Sequence, residues 1–576
     1  MMDGRPEVIL RAANLLMSSL AIRHWSPPDG HFSYYRCETR PLSVMPAQAG
    51  LQSVSAPPLD SRPPFPRGQV YPRAGGDGND ENRAFERSRS GRLLENVKLL
   101  VNSLLALVLL VSGCAVGPNY ERPELAVPRV WNEGKQSGVD TRSAELAQWW
   151  AAFNDPLLNS LIARGVESNL DLRIAEARIR EARAARTVAA AGAWPTIDAS
   201  GSYSRNRTSE NALSFPSQGT GGVSSPAFGR ELEQDLFRSG FDASWELDVF
   251  GRVRRSVEAA DASIEASVEN RRDVLVTLLG EVAKGYIDLR GFQRRLEVAR
   301  ANLKAQQETL DLTSVRFQAG LASDLEVAQA EAQVRQTEAQ IPTLESFLKQ
   351  SAYSIDVLLG LRPGSLWQEF SPEAAIPGLP PEVLIGLPSE LLRRRPDIRR
   401  AERQLAAATA QVGAAMAELF PRFSLTGLAG LQSVSAGDWF TGGSRFWSIG
   451  PTVSWPVFDA GKIRANIEIR NAQQEQALSQ YEKTILTALQ EVETTLVNYA
   501  NEQRRYRSLT EAVSANRRAA ELANELYLRG LNDFLNVLDA QRALFATESE
   551  LAQSEAAMAS NLVALYKALG GGWEGP

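Results

Sequence analysis

Two side-chain periods alternate along this chain. In "FDASWELD" (241–248) apolar and polar positions alternate strictly, with Phe241, Ala243, Trp245 and Leu247 facing one way and Asp242, Ser244, Glu246 and Asp248 the other. That is the period of an extended strand. The same period of two runs through "FWSIGPTVSWPVF" (446–458), placing Trp447, Ile449, Val453, Trp455 and Val457 on one side. It also runs through "FSLTGLAGL" (423–431) and, more weakly, through "IDASGSYSRN" (197–206). After each strand pair the period becomes helical. Between Gly461 and Gly530 there is neither Pro nor Gly, and Ala, Leu, Glu, Gln and Arg dominate, so a helix of roughly 65 to 70 residues, about 100 Å long, is expected. Gly251 to Gly320 is likewise free of Pro. No globular core is that long, so such helices form a coiled coil or a wall. Pro342 is expected to bend the helix that returns from the first of them.

The two halves say the same thing twice. "WELDVFGRVR" (245–254) aligns with "WPVFDAGKIR" (455–464) at an offset of 210, which also pairs Phe317 with Tyr527, Gly320 with Gly530, Leu321 with Leu531 and Val327 with Val537. Upstream, "NLDLRIAEARIREARAARTVAAAGAWP" (169–195) matches "RPDIRRAERQLAAATAQVGAAMAELFP" (395–421) at an offset of 226, so the first copy carries a loop 16 residues longer between Pro195 and Trp245. A tandem structural repeat follows. Gly320 and Gly530 each supply the left-handed conformation with which a helix ends and turns back, so each copy ends in a helical hairpin tip.

Charge and composition remove whole classes of function. The net charge of −6 argues against a nucleic-acid partner. The basic run "LLRRRPDIRRAERQ" (391–404) reads as solvated helix surface after a Pro-Asp start signal. No histidine or cysteine follows Cys114, which excludes Ser-His-Asp and Cys-His nucleophiles and His/Cys metal sites there. A carboxylate-only enzyme would need a compact pocket that long helices do not suggest. No enzymatic activity, cofactor or metal is expected.

Residues 1–96 are rich in Pro, Arg, Ser and Gly and lack sustained periodicity, the pattern of a disordered or non-native extension. In "VKLLVNSLLALVLLVSGCAVGPNYERP" (97–123) the apolar run from Leu99 to Val111 is too short to span a bilayer and fits a secretory signal. Ser112-Gly113-Cys114 resembles a bacterial lipobox, which would make 97–113 the signal and Cys114 a lipidated first residue. Ala115 stands where an Asp would suggest inner-membrane retention, pointing to the outer membrane. Translation from Val97, read as an alternative start codon, would make 1–96 an annotation artefact. The remaining organisation is a lipid-anchored extended segment 114–155, a first repeat 156–364, a linker 365–386 and a second repeat 387–573.

A soluble antiparallel sheet with one solvated face would also alternate. Lengths of roughly 9 to 11 residues, terminal aromatics and Gly/Ser-rich loops favour transmembrane strands. Four strands cannot close a barrel, and lipid does not tolerate open edges. Two chains would give eight strands with a filled interior and three would give twelve, wide enough for a pore, so a trimer is expected.

"CAVGPNYERP" (114–123), "WWAAFNDPLLNSLI" (149–162), "WELDVFGRVRRSVEAA" (245–260), "RPDIRRAE" (395–402), "FPRFSLTGLAG" (420–430), "NVLDAQRALF" (536–545) and "LYKALGGGW" (565–573) stand in an order and spacing that resembles the outer membrane factors of tripartite efflux pumps. These are the TolC-like superfamily, and the resemblance is to its NodT-type lipoprotein branch. It implies an α+β membrane protein: a homotrimer whose twelve-stranded outer-membrane β-barrel, four strands per chain, continues into a long periplasmic α-helical barrel. It also implies a passive duct whose tips dock onto a periplasmic adaptor coupled to an RND-type or ABC transporter of the inner membrane. Gly320, Leu321, Gly530 and Leu531 are then the expected adaptor contacts, although turn geometry alone also accounts for the glycines. The resemblance further places a periplasmic gate at Leu535 and Asp539, with Asn536 where some members carry another Asp; otherwise Asp539 reads as a helix-surface charge. The alternatives are a type I protein-secretion duct and, in another class, a lipid-anchored periplasmic adaptor, which would have one hairpin rather than two.

Overall fold

The computed structural model describes residues 115–124, 127–134, 139–140, 142, 146–207, 209, 233–380 and 383–574. The chain divides into two units, 1–88 and 89–576, and every described residue belongs to the second. The expectations for residues 1–96, for the 97–113 signal and for Cys114 itself lie outside the described residues.

Each copy follows one plan. The first runs α1 (Pro156–Ser168), α2 (Leu170–Ala191), β2 (Thr196–Arg207), β3 (Glu233–Leu247), α3 (Arg252–Gln318) and α4 (Asp324–Leu358). The second runs α5 (Pro388–Arg394), α6 (Pro396–Met416), β5 (Arg422–Ser433), β6 (Arg445–Ser454), α7 (Lys462–Leu528) and α8 (Phe534–Ala568). Two short strands lie outside the copies: β1 (Val139–Asp140) pairs in parallel with β4 (Val383–Leu384) in the segment between them. A helical turn, Trp367–Phe370, precedes β4.

Strong local signals set these boundaries. Asp155 caps α1 by accepting from the backbone N–H of Leu157 and Leu158, with Pro156 at the first helical position. Asp248 and Asp459 perform the same service for α3 and α7, accepting from the N–H of Val253 and Arg254 and of Gly461 and Ile463. The long helices are 67 residues each, about 100 Å. The chain stays helical through Pro342, and α4 ends at Leu358.

The strands depart from the expected spans in both directions. β3 is 15 residues long, reaching back to Glu233, whereas β6 stops at Ser454. Trp455 and Val457, expected as strand residues, lie beyond it because Pro456 has no N–H for a ladder. The register nevertheless confirms the duplication. Trp245 Nε1 donates to the Ala193 carbonyl at 2.9 Å and Trp455 Nε1 to the Leu419 carbonyl at 3.1 Å, and both donors and acceptors are equivalent under the two offsets of the repeat. The indoles lock each strand pair to the helix that precedes it.

All four long strands form one antiparallel sheet in the order β2-β3-β5-β6. The helices continue it as a wall. Nearer the sheet their order is α2-α3-α6-α7; farther away α4 and α8 take the places of α2 and α6, giving α4-α3-α8-α7. The main core lies where these sets meet, around Trp149, Phe153, Leu279, Tyr286, Ile355, Phe370, Tyr481 and Leu565.

One expectation is overturned here. The basic run of 391–404 is not a solvated face but the seam between the two copies. Arg403, Arg399 and Arg400 pair with Glu265, Glu269 and Asp273, spaced four residues apart on α3, at 3.1, 2.7 and 2.8 Å. Arg395 is buried between Asp397, Glu491 and the Ala568 carbonyl. Burial outweighs the arginines and raises Glu269 and Asp273 above the usual carboxylate range. Trp573 lies against both Arg272 and Arg399, at 4.5 and 5.2 Å. Helical period alone located the run without revealing the acidic stripe opposite.

Candidate functional site: a two-faced sheet and a paired tip

Cross-strand register sorts the sheet into two faces. On one lie Ile197, Ala199 and Tyr203 of β2, Phe237, Phe241, Ala243 and Trp245 of β3, Phe423, Leu425, Ala429 and Leu431 of β5, and Trp447, Ile449 and Val453 of β6. On the other lie Asp198, Ser200, Ser202, Ser204, Arg238, Asp242, Ser244, Ser424, Thr426, Gln432, Ser448 and Thr452. The apolar face is uncovered: Phe241 is 61% exposed, Trp447 77% and Ile449 66%. So many large apolar groups left in water would drive association; in lipid they are at home. From Phe237 to Leu247 the apolar face of β3 extends about 33 Å along the strand, or about 25 Å in height at a tilt of 40°, the height of a membrane barrel's apolar band. Above it the same face turns polar, with Arg205, Arg207, Glu233 and Asp235 linked by ion pairs. No described helix is long and apolar enough to cross a membrane.

Both ends of the wall are open. β2 and β6 are edge strands, and α7 on one side and α2 with α4 on the other have one neighbour each along the wall. The helices at these edges carry exposed apolar side chains: Leu170 and Ile174 on α2, Tyr353 and Val357 on α4, Leu486 and Leu522 on α7.

The far end carries the two tips. Gly320 and Gly530 adopt φ of 73° and 69°. In both turns the residue after the glycine donates back to the helix, Leu321 to the Arg316 carbonyl and Leu531 to the Leu526 carbonyl, each at about 2.9 Å or less. Nothing lies within 4 Å of a Cβ added at either glycine, so backbone conformation alone selects them. Leu321 and Leu531 project into solvent, 69% and 72% exposed. Leu535 and Asp539 lie one turn apart on the uncovered face at the start of α8, while Phe534, Val537 and Leu538 on its other face are buried. Asn536 shares that exposed face and donates to Asn532 Oδ1. Among the described residues Asp539 makes one ion pair, with Arg542 at 3.9 Å.

The structure adds groups that reading the sequence missed. Tyr527 of α7 donates through its hydroxyl to Glu326 Oε2 of α4 at 2.9 Å, and Arg316 of α3 stacks on its ring at 4.6 Å. Nearby, Arg542 donates to Gln333 at 2.6 Å and Gln541 to Thr309 at 2.9 Å. These bonds join hairpin to hairpin. Burial first, then the hydrogen bond to Glu326, raise the Tyr527 hydroxyl above its usual pKa. A signal existed: at the repeat offset Tyr527 faces Phe317, so the second copy has gained a hydroxyl.

At the opposite end the segment after Cys114 is clamped to the foot of the sheet. Val116 N–H donates to the Phe250 carbonyl at 3.1 Å. The buried Arg255 guanidinium donates to the carbonyls of Val116 and Gly117 and to Asn119 Oδ1, at 3.2, 3.1 and 2.8 Å. Its repeat equivalent is Ala465, so this too was marked by a difference between copies. Tyr120 and Arg122 then bind Glu402 of the second copy, and Asn132 and Glu133 donate their backbone N–H groups to Glu493.

The sequence pattern of the outer membrane efflux protein family matches residues 161–361 and 387–571. Nodulation protein T of Rhizobium leguminosarum bv. trifolii is 34% identical over 466 residues, covering 81% of this chain and 96% of that protein. The solvent efflux pump outer membrane protein SrpC of Pseudomonas putida is 35% identical over 470 residues, 81% of this chain and 97% of the relative. Among solved structures, the outer-membrane channel OprN superposes with a TM-score of 0.73 at 37% identity, covering 80% of this chain and all of that one.

Proposed function

The chain belongs to the outer membrane efflux protein family, and from that premise we propose that it is the passive outer-membrane duct of a tripartite efflux pump, working as a homotrimer. The observation that carries the reading is the sheet with an uncovered apolar face, a polar reverse and two free edges. Because the strand number is even and all pairings are antiparallel, β6 of one copy meets β2 of the next in the same alternation. Three copies give twelve strands with a backbone radius of about 12 Å. Their polar faces then line a water-filled passage. The same rotation brings α7 against the next copy's α2 and α4, covering the apolar edges of the wall.

A lipid on Cys114 fits the clamp described above, since Ala115 and Val116 lie at the strand-to-helix junction, where a barrel leaves the membrane. Leu535, Asn536 and Asp539 of three copies would converge as the gate, with an apolar constriction and a ring of carboxylates that repel one another. Asn536 makes that ring less acidic than in relatives with a second Asp. Leu321 and Leu531, presented by the Gly320 and Gly530 turns, would meet a periplasmic adaptor, which hands on small molecules from an inner-membrane transporter. Nothing is chemically transformed.

The test is native mass of the detergent-solubilised protein with ion conduction across planar bilayers. A trimer that conducts, more so as Leu535→Ala/Asp539→Ala, supports the proposal; a stable monomer that conducts nothing even with both substitutions overturns it. Co-purification with an adaptor, lost in Leu321→Asp/Leu531→Asp, tests the tip assignment separately.

A further inference from the structure

The polar face of the sheet is not uniformly polar. Its charged residues among the described positions are Asp198 of β2, Arg238, Asp242 and Glu246 of β3, and Arg422 of β5. Glu246 is neutralised by Arg252 at 2.8 Å and Arg422 by Glu418 at 3.7 Å. The other three form no ion pair among the described residues. Asp198 and Asp242 are direct cross-strand partners on the same face, and Ser200 Oγ donates to Asp242 at 3.1 Å. Like charges placed opposite one another destabilise a sheet, so stability does not account for this pair.

Arg238 lies four residues from Asp242 on the same strand, about 13 Å along it on the side away from the helical wall. Its guanidinium stacks on the Phe446 ring at 5.1 Å. That ring in turn lies beside Gly430, the direct partner of Gly240, where a Cβ on Gly430 would stand 3.0 Å from Phe446 and 2.2 Å from the Ser239 carbonyl. The backbones approach there because neither residue has a side chain. The ring fills the gap and holds Arg238 on the polar side.

We propose that the barrel interior is a charge-ordered filter, with a belt of six carboxylates from Asp198 and Asp242 nearer the periplasm and a collar of three guanidiniums from Arg238 nearer the outer surface. This rests on the trimeric-barrel reading. With two carboxylates and one guanidinium left uncompensated in each copy among the described strand residues, the net fixed charge of this face is negative, so it favours cationic and zwitterionic solutes over anions. The order of the belts makes entry from the two sides unequal: a cation arriving from the helical wall meets attraction first, and one arriving from outside meets repulsion first.

The experiment compares reversal potentials of the full chain in planar bilayers under a tenfold potassium chloride gradient, all in the Leu535→Ala/Asp539→Ala background so that the gate ring contributes no charge. That background should conduct with a cation-to-anion permeability ratio above 1. Asp198→Asn/Asp242→Asn should carry the ratio below 1, and Arg238→Gln should raise it. The isosteric double variant should also melt at a higher temperature than its parent, because the opposed charges are gone, a result that separates lost selectivity from lost folding. Trimers that conduct with the same ratio in all three proteins would overturn the filter and leave the channel standing. Absence of any conduction from the background would overturn both.

Discussion

The hydrogen bond from Tyr527 to Glu326 joins the second hairpin to the first, so any movement that parts the tips must break it. Tyr527→Phe removes the hydroxyl and little else: the ring keeps its packing on Phe534 at 5.3 Å and under Arg316 at 4.6 Å. A hydrogen bond to a charged acceptor contributes about 1.5 to 3 kcal/mol. Here the carboxylate is half-buried and also serves the Ser323 cap, so competition from water and from the cap reduces the value to about 1 kcal/mol. In the proposed trimer, with tips together as its closed state, three tips parting at once would cost that state about 3 kcal/mol, which is about a 150-fold change in the closed-to-open ratio. Single-channel recording reads this directly as a rise in the open fraction. A smaller rise should follow from Glu326→Gln, whose amide oxygen still accepts the hydroxyl, and the full effect from alkaline pH. The raised tyrosine pKa keeps the donor proton in place below its ordinary value of 10, and the contribution is lost as pH climbs through the raised value. Trimers of both variants whose open fraction matches that of the parent would refute the latch.

Three other outcomes follow from the same geometry. Gly530→Val should cost about 1 to 2 kcal/mol through its left-handed backbone alone, since nothing crowds the site; hydrogen exchange should show the loss confined to the tip, with Gly320→Val behaving alike. Glu269→Ala, which strands Arg272 and Arg399 beside Trp573, should destabilise the seam by about 2 to 3 kcal/mol in chemical denaturation. Arg255→Gln should free the segment after residue 115 and speed hydrogen exchange of the Val116 N–H, which donates to the Phe250 carbonyl, and Arg255→Lys should do the same, because a single ammonium cannot reach the three acceptors that the guanidinium serves in that segment.

Much of this protein was legible in its sequence because the information is local and doubled. The period of two in 241–248 and 423–431 and the helical stretches ended by Gly320 and Gly530 each depend on neighbours within a few residues, and two copies at offsets of 210 and 226 let each confirm the other. The family resemblance drawn from the ordered motifs was correct. Tertiary structure decided what local pattern has no means to encode: which residues face each other across elements far apart in the chain. It turned an expected solvated arginine face into the seam with Glu265, Glu269 and Asp273. It ended β6 before Trp455, brought Tyr527 within reach of Glu326 and set Asp198 opposite Asp242. Periodicity specifies which face a side chain lies on. The partner across that face is set by packing register, which emerges only when the whole wall is assembled.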